Sequence, residues 1–67
     1  MIVTEAKLFE MGADKANQIR VGRNVWVQML RLPKGEWDPT GKNIFRWANV
    51  EVVNDREKQV DAIELLS

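Results

Sequence analysis

Between Ile19 and Met29 apolar residues fall on every second position, at Ile19, Val21, Val25, Val27 and Met29, with Arg23 alone breaking the rhythm. Such alternation marks a half-buried strand, and here it predicts a β-hairpin spanning residues 17–29. A three-residue loop at Gly22-Arg23-Asn24 sets Val21 opposite Val25 and Ile19 opposite Val27, so that apolar pairs share one face and Arg20 meets Trp26 on the other. A two-residue loop at Arg23-Asn24 would mix the faces, which strand register normally avoids. Asn24 tolerates the left-handed backbone that the longer loop requires.

Beyond Arg31 the pattern turns to punctuation. Leu32-Pro33-Lys34-Gly35 and Asp38-Pro39-Thr40-Gly41 both place Pro second and Gly fourth, as type I turns favour. Residues 33–43 therefore read as a long connection, and Trp37 within it either anchors the loop to the core or offers a contact. Anchoring is the expected role, because a loop of this size needs something to hold it. The next stretch, Ile44 to Val53, is rich in strand formers, but Phe45 and Trp47 lie on one parity and Val50 and Val52 on the other. A bulge or sharp bend at Ala48-Asn49 would turn both pairs to the core. Asn54-Asp55-Arg56-Glu57 has the form of a helix cap, followed by Val60, Ile63 and Leu66 at three-residue spacing, which predicts a C-terminal helix over 54–66. Residues 4–11 combine helix formers, a Thr cap and a terminating Gly12, yet a strand paired with residues 17–22 is preferred, because a sheet of two or three strands buries too little.

Taken together these elements predict an α+β domain covering residues 1–67: a small antiparallel sheet or partly open SH3-like barrel with one C-terminal helix packed on it. The order of hairpin, further strand and capped helix is similar to small SH3-like barrels and to three-stranded DNA-binding domains of recombinases, in element order alone; no motif carries residue roles across.

Composition narrows the chemistry. The chain has 67 residues, 45% hydrophobic and 30% charged, which suits one small folded domain. With no Cys there is neither a disulfide framework nor a thiolate metal site, and a reducing, cytoplasmic setting is expected. No apolar run approaches the roughly 20 residues of a membrane span. No His, Cys or Tyr is present, and the only hydroxyls are Thr4, Thr40 and Ser67, so no nucleophile–base pair of the usual form can be assembled. Glu36 and Asp38 read as solvated turn carboxylates rather than a glycosidase pair. Gly35 to Lys42 fails as a phosphate loop, since five residues separate its glycines and Asn43 replaces the Mg²⁺-binding hydroxyl. Asp38 to Gly41 lacks the ligand series of a calcium loop. No catalytic residue, metal or cofactor is expected.

Net charge is zero, but it is unevenly spread. Residues 15–50 carry seven cations against two anions and hold all three tryptophans, whereas residues 51–67 carry two cations against five anions. The expected function is a non-enzymatic protein–protein interaction module, such as an adaptor, a subunit or an inhibitor encoded by a virus or mobile element, working through a Trp/Arg/Leu sheet face. Its candidate contact residues are Arg20, Arg23, Trp26, Gln28, Leu30, Arg31, Trp37, Lys42, Arg46 and Trp47. Trp, Arg and Met are favoured at interfaces, and Leu30 and Leu32 sharing the outward parity of Trp26 imply a covered face, by another protein, a second copy of the chain or the first segment folded across it. The alternative is a nucleic-acid-binding module in which the cations of the central segment hold phosphates and the indoles stack on bases. A membrane partner and a small-molecule substrate are not expected.

Overall fold

In the computed structural model, which describes residues 1–67, the chain begins with a helix rather than a strand. Thr4 accepts a hydrogen bond from the Lys7 backbone N–H at 3.2 Å and opens α1 (Glu5–Glu10), and Gly12 ends that segment with a left-handed φ of +82°. A 3₁₀ turn (Ala13–Lys15) leads into β1 (Gln18–Val21). The strand preferred for residues 4–11 is thus corrected: the local cap and terminator prevail, because the sheet takes the strands it needs from elsewhere.

The hairpin of residues 17–29 is likewise corrected. Only its first arm is a strand; after Gly22 the chain forms α2 (Arg23–Met29). Val25 and Met29 are four apart, a spacing that suits an alternating strand and one face of a helix equally well. Gly22 helps settle the matter through tertiary contact. A Cβ there would lie 1.9 Å from the Gln59 carbonyl oxygen, and the backbone of residues 22–24 bonds to Val60 and Ala62. The chain departs from strand geometry where this later segment crosses it.

The long connection contains β2 (Gly35–Trp37), which pairs antiparallel with β3 (Phe45–Trp47). Ala48 and Asn49 both have positive φ, 49° and 66°, and make a two-residue hairpin turn into β4 (Val50–Asn54). This is the sharp bend that lets Phe45, Trp47, Val50 and Val52 all enter the core, in the register Trp47–Val50 and Phe45–Val52. It is a tight primed-type turn rather than a bulge.

No helix covers 54–66. Asp55 does serve as a local cap, its carboxylate accepting from the Glu57 N–H at 3.0 Å, but the result is a turn, and the chain then extends as β5 (Ile63–Leu66). The cap signature is common to both outcomes. The helical stripe of Val60, Ile63 and Leu66 is replaced by alternation, with Ile63 and Leu65 opposite Val21 and Ile19.

The five strands form one open mixed sheet in the order β2-β3-β4-β1-β5, with β1 and β4 parallel and the other pairs antiparallel. The sheet does not close into a barrel. Ile19, Val21, Phe45, Trp47, Val50 and Val52 face one side, where Leu8 of α1, Ala13, Val25 and Met29 of α2 and Val3 complete the core. The other side of the sheet has no helix over it.

Candidate docking surface

The alternating strands give the two sheet faces opposite chemistry. Gln18, Arg20, Glu36, Arg46, Glu51 and Glu64 occupy the parity opposite the core residues, with Val53 beside Arg20 and Leu66 beside Gln18, so the uncovered face is mainly polar. Its charges answer one another. Arg20 pairs with Asp55 at 3.2 Å and donates to Gln18, Gln18 donates to Glu51, and Arg46 pairs with Asp38 at 3.0 Å. The Thr40 hydroxyl and the Thr40 backbone N–H, together with Arg46, hold the Asp38 carboxyl down at about 2. The Glu57 backbone N–H, helped by Arg20, lowers Asp55. This face carries no exposed aromatic ring and few uncommitted cations.

The helix side differs. On α2, Arg23, Trp26, Val27 and Leu30 stand at i, i+3, i+4 and i+7, one face of a helix, while Val25 and Met29 bury the other. Trp26 is half-buried, its ring 5.7 Å from that of Phe45 and 6.2 Å from that of Trp37, edge to face. Trp37 extends this cluster from the edge strand and is 52% exposed. Val27 and Val60, 48% and 51% exposed, line a recess with Trp26, and the exposed Leu30 follows Trp26 and Val27 at helical spacing. Two recesses flank Trp26. One, of about 570 Å³, lies between Arg23, Val27, Arg56, Lys58 and Val60. The other, of about 530 Å³, lies between Trp37, Asn43, Ile44 and Val53, where β3 begins short of the end of β4. Asn54 borders both, and its Oδ1 is buried without a hydrogen-bond partner. Arg23 and Arg56 are exposed and form no salt bridge, whereas Lys58 pairs with Glu64 at 2.7 Å.

Several residues expected at a contact face are placed elsewhere. Trp47 is fully buried: its ring packs on Phe9 at 4.9 Å and its Nε1–H donates to Glu5 Oε2 at 3.0 Å. Gln28 is a structural clamp, accepting from the Val3 N–H at 2.8 Å and donating to the Met1 carbonyl at 2.9 Å. Arg20 and Arg46 lie on the polar sheet face, away from Trp26, so the expected pairing of Arg20 with Trp26 is corrected with the hairpin that implied it. Arg31 and Lys42 are exposed in turns. The anchoring expected of Trp37 is only partial, since half the side chain faces solvent. The structure therefore joins Arg23, Trp26, Leu30 and Trp37, on a helix and a sheet edge rather than on a sheet face.

Val27, Asn54, Arg56, Lys58 and Val60 were not among the sequence candidates. Val27 was detectable in the spacing of Arg23, Trp26, Val27 and Leu30, which is helical, but the overlapping alternation masked it. Nothing local marks the others, since the turn over residues 55–62 is needed to bring them to α2. No three acidic side chains converge as a metal site. The chain matches no protein-family model, no curated protein and no solved structure.

Proposed function

We propose that this chain is a non-catalytic protein-binding module whose contact surface is the outer side of α2 and the adjoining edge strand. Trp26 and Trp37 are the anchors, Val27, Leu30 and Val60 extend the apolar area, and Arg23 and Arg56 select acidic groups at its rim. The observation that carries this reading is the contrast between the sheet's two sides: one is mainly polar with both its arginines in ion pairs, while the other exposes large apolar side chains beside unpaired guanidinium groups. An apolar centre with a charged rim is the usual anatomy of a protein interface, and Trp and Arg are its most frequent hot spots. The partner segment implied is apolar or aromatic, with acidic residues beside it.

Selection of a displayed random-peptide library on the immobilised chain tests the proposal. Enriched peptides should be apolar and acidic, and their binding should be lost with Trp37→Ala and weakened with Arg23→Ala. The competing reading, a nucleic-acid module, draws on the exposed Trp37 ring near unpaired cations. It predicts instead that single-stranded oligonucleotides bind with an affinity that falls steeply with salt. That result, with no peptide enrichment, would replace the protein-binding reading.

A further inference from the structure

The sheet's two edges are treated differently. At one, β2 has three residues and lies between Pro33 and Pro39, and proline beside a short strand is a usual guard against edge pairing. At the other, β5 has four residues, Ile63-Glu64-Leu65-Leu66, with no proline and one charge. That charge, on Glu64, already sits 2.7 Å from Lys58.

The direction of the free hydrogen-bonding groups on β5 follows from the bonds beside it. Gly22 donates to the Ala62 carbonyl within the β1–β5 register, and Asp55 donates to the Val21 carbonyl on the opposite side of β1. Antiparallel ladders alternate, so Ala62, Glu64 and Leu66 turn their backbone groups toward β1. Ile63 and Leu65 turn theirs outward, and no backbone or side-chain partner meets them there. On the helix side the same edge adjoins an apolar recess of about 250 Å³ formed by Met1, Leu8, Met11 and Ile63. Met1 and Met11 are exposed beside it.

We propose that β5 pairs antiparallel with β5 of a second copy of this chain, across a two-fold axis normal to the sheet, making one continuous ten-stranded sheet. Of the registers that the outward groups of β5 allow, one centred on Ile63 would set Leu65 against Asp61, in the turn before the strand, and so offers a shorter ladder. With Leu65 opposite Leu65 of the other copy, the outward groups of Leu65 exchange two hydrogen bonds and those of Ile63 meet Ser67. Glu64 then lies opposite Leu66, in the closer, non-hydrogen-bonded type of pair. Sliding by one step to set Ile63 opposite Leu65 would place Glu64 directly against Glu64, which like-charge repulsion disfavours. The favoured register also keeps both sets of helices on one side and brings each copy's Met1–Met11 recess to the dimer seam. This surface is separate from the Trp26–Trp37 surface and does not depend on the function proposed for it.

The chain lacks cysteine, so disulfide trapping reads the register directly. Chains carrying Ile63→Cys and Ser67→Cys, both of which keep Glu64, are mixed under mild oxidation, because a hydrogen-bonded antiparallel pair sets Cα atoms about 5.5 Å apart, within disulfide range. The mixed 63–67 dimer should exceed both homodimers several-fold. Dominance of the 63–63 homodimer would overturn the register. Cross-linking no greater than that of Thr40→Cys, an exposed loop control, would overturn the pairing. Independently, sedimentation equilibrium of the unmodified chain should show a mass approaching twice the monomer as concentration rises. A synthetic chain with N-methyl-Leu65, which removes only an outward N–H, should remain monomeric, whereas Trp37→Ala should dimerise like the parent. A monomeric parent at all accessible concentrations, or a dimer that survives N-methylation, would overturn the proposal.

Discussion

Trp47 and Trp37 stand on adjacent antiparallel strands and point to the same side of the sheet, yet one is fully buried and the other is half in solvent. The difference lies in what covers them. Over Trp47 lies α1, with the Phe9 ring against the indole and the Glu5 carboxylate receiving both its N–H and the Lys34 backbone N–H at 2.9 Å. Over Trp37 there is only the edge of Trp26 and of Phe45. Identical side chains on one surface thus become a buried residue and a half-exposed one through helix placement. Burial of Trp47 ties the sheet to the first helix, whereas Trp37 leaves half of its surface in solvent.

The sharpest way to break this comparison is Trp47→Ala, which empties the centre of the core and leaves Glu5 without its indole donor. A loss of about 3–5 kcal/mol is expected in urea unfolding. A loss near that of Trp37→Ala would mean that burial does not distinguish the two rings. Next comes Gly22→Ala, whose added Cβ strikes backbone rather than a yielding side-chain end. It should cost about 1–3 kcal/mol and should raise hydrogen exchange first in residues 59–62, the segment that must move. Trp37→Ala is expected to cost only about 1 kcal/mol, the value of its aromatic contacts, while abolishing peptide binding. A small stability change with intact binding would remove Trp37 from the surface.

The smallest effect expected concerns the loop that positions Trp37. Asp38 has its carboxyl lowered from the ordinary 3.8 to about 2 by Thr40 and Arg46. A depressed folded-state value means that this contribution is complete above about pH 4 and disappears as pH falls toward 2. Comparing urea midpoints of the parent and Asp38→Asn across that window should show the two curves converging at the acid end. Parallel curves would show that the Asp38 contacts do not stabilise the fold.

Local signals in this chain identified groups more reliably than the elements they belong to. Thr4 does cap and Gly12 does terminate, and Phe45, Trp47, Val50 and Val52 do face inward together, whereas the cap expected at residues 54–57 opens a turn through Asp55 and no helix. The α+β class holds, but the C-terminal helix on which it rested is a strand, and the helices present, α1 and α2, lie where strands were expected. The hairpin and the C-terminal helix did not follow, because Val25 and Met29 satisfy two periodicities and because a capping carboxylate serves a turn as well as a helix. Of the proposed surface, Arg23, Trp26, Leu30 and Trp37 were legible, and its location on a helix was not.

Residue chemistry by itself determined which side chains had to leave water, where the backbone had to turn, and that the cations of the central segment would lack enough neighbouring carboxylates to pair them all. Tertiary structure decided the rest. The close passage of Gln59 over Gly22 ended a strand and allowed a helix, the vacant side of β1 drew residues 63–66 into the sheet, and the reach of α1 chose Trp47 over Trp37 for burial. The physical reason is range: caps and turns act over a few residues, whereas a strand's partner and an indole's cover are supplied by segments tens of residues away, which no short window of sequence contains.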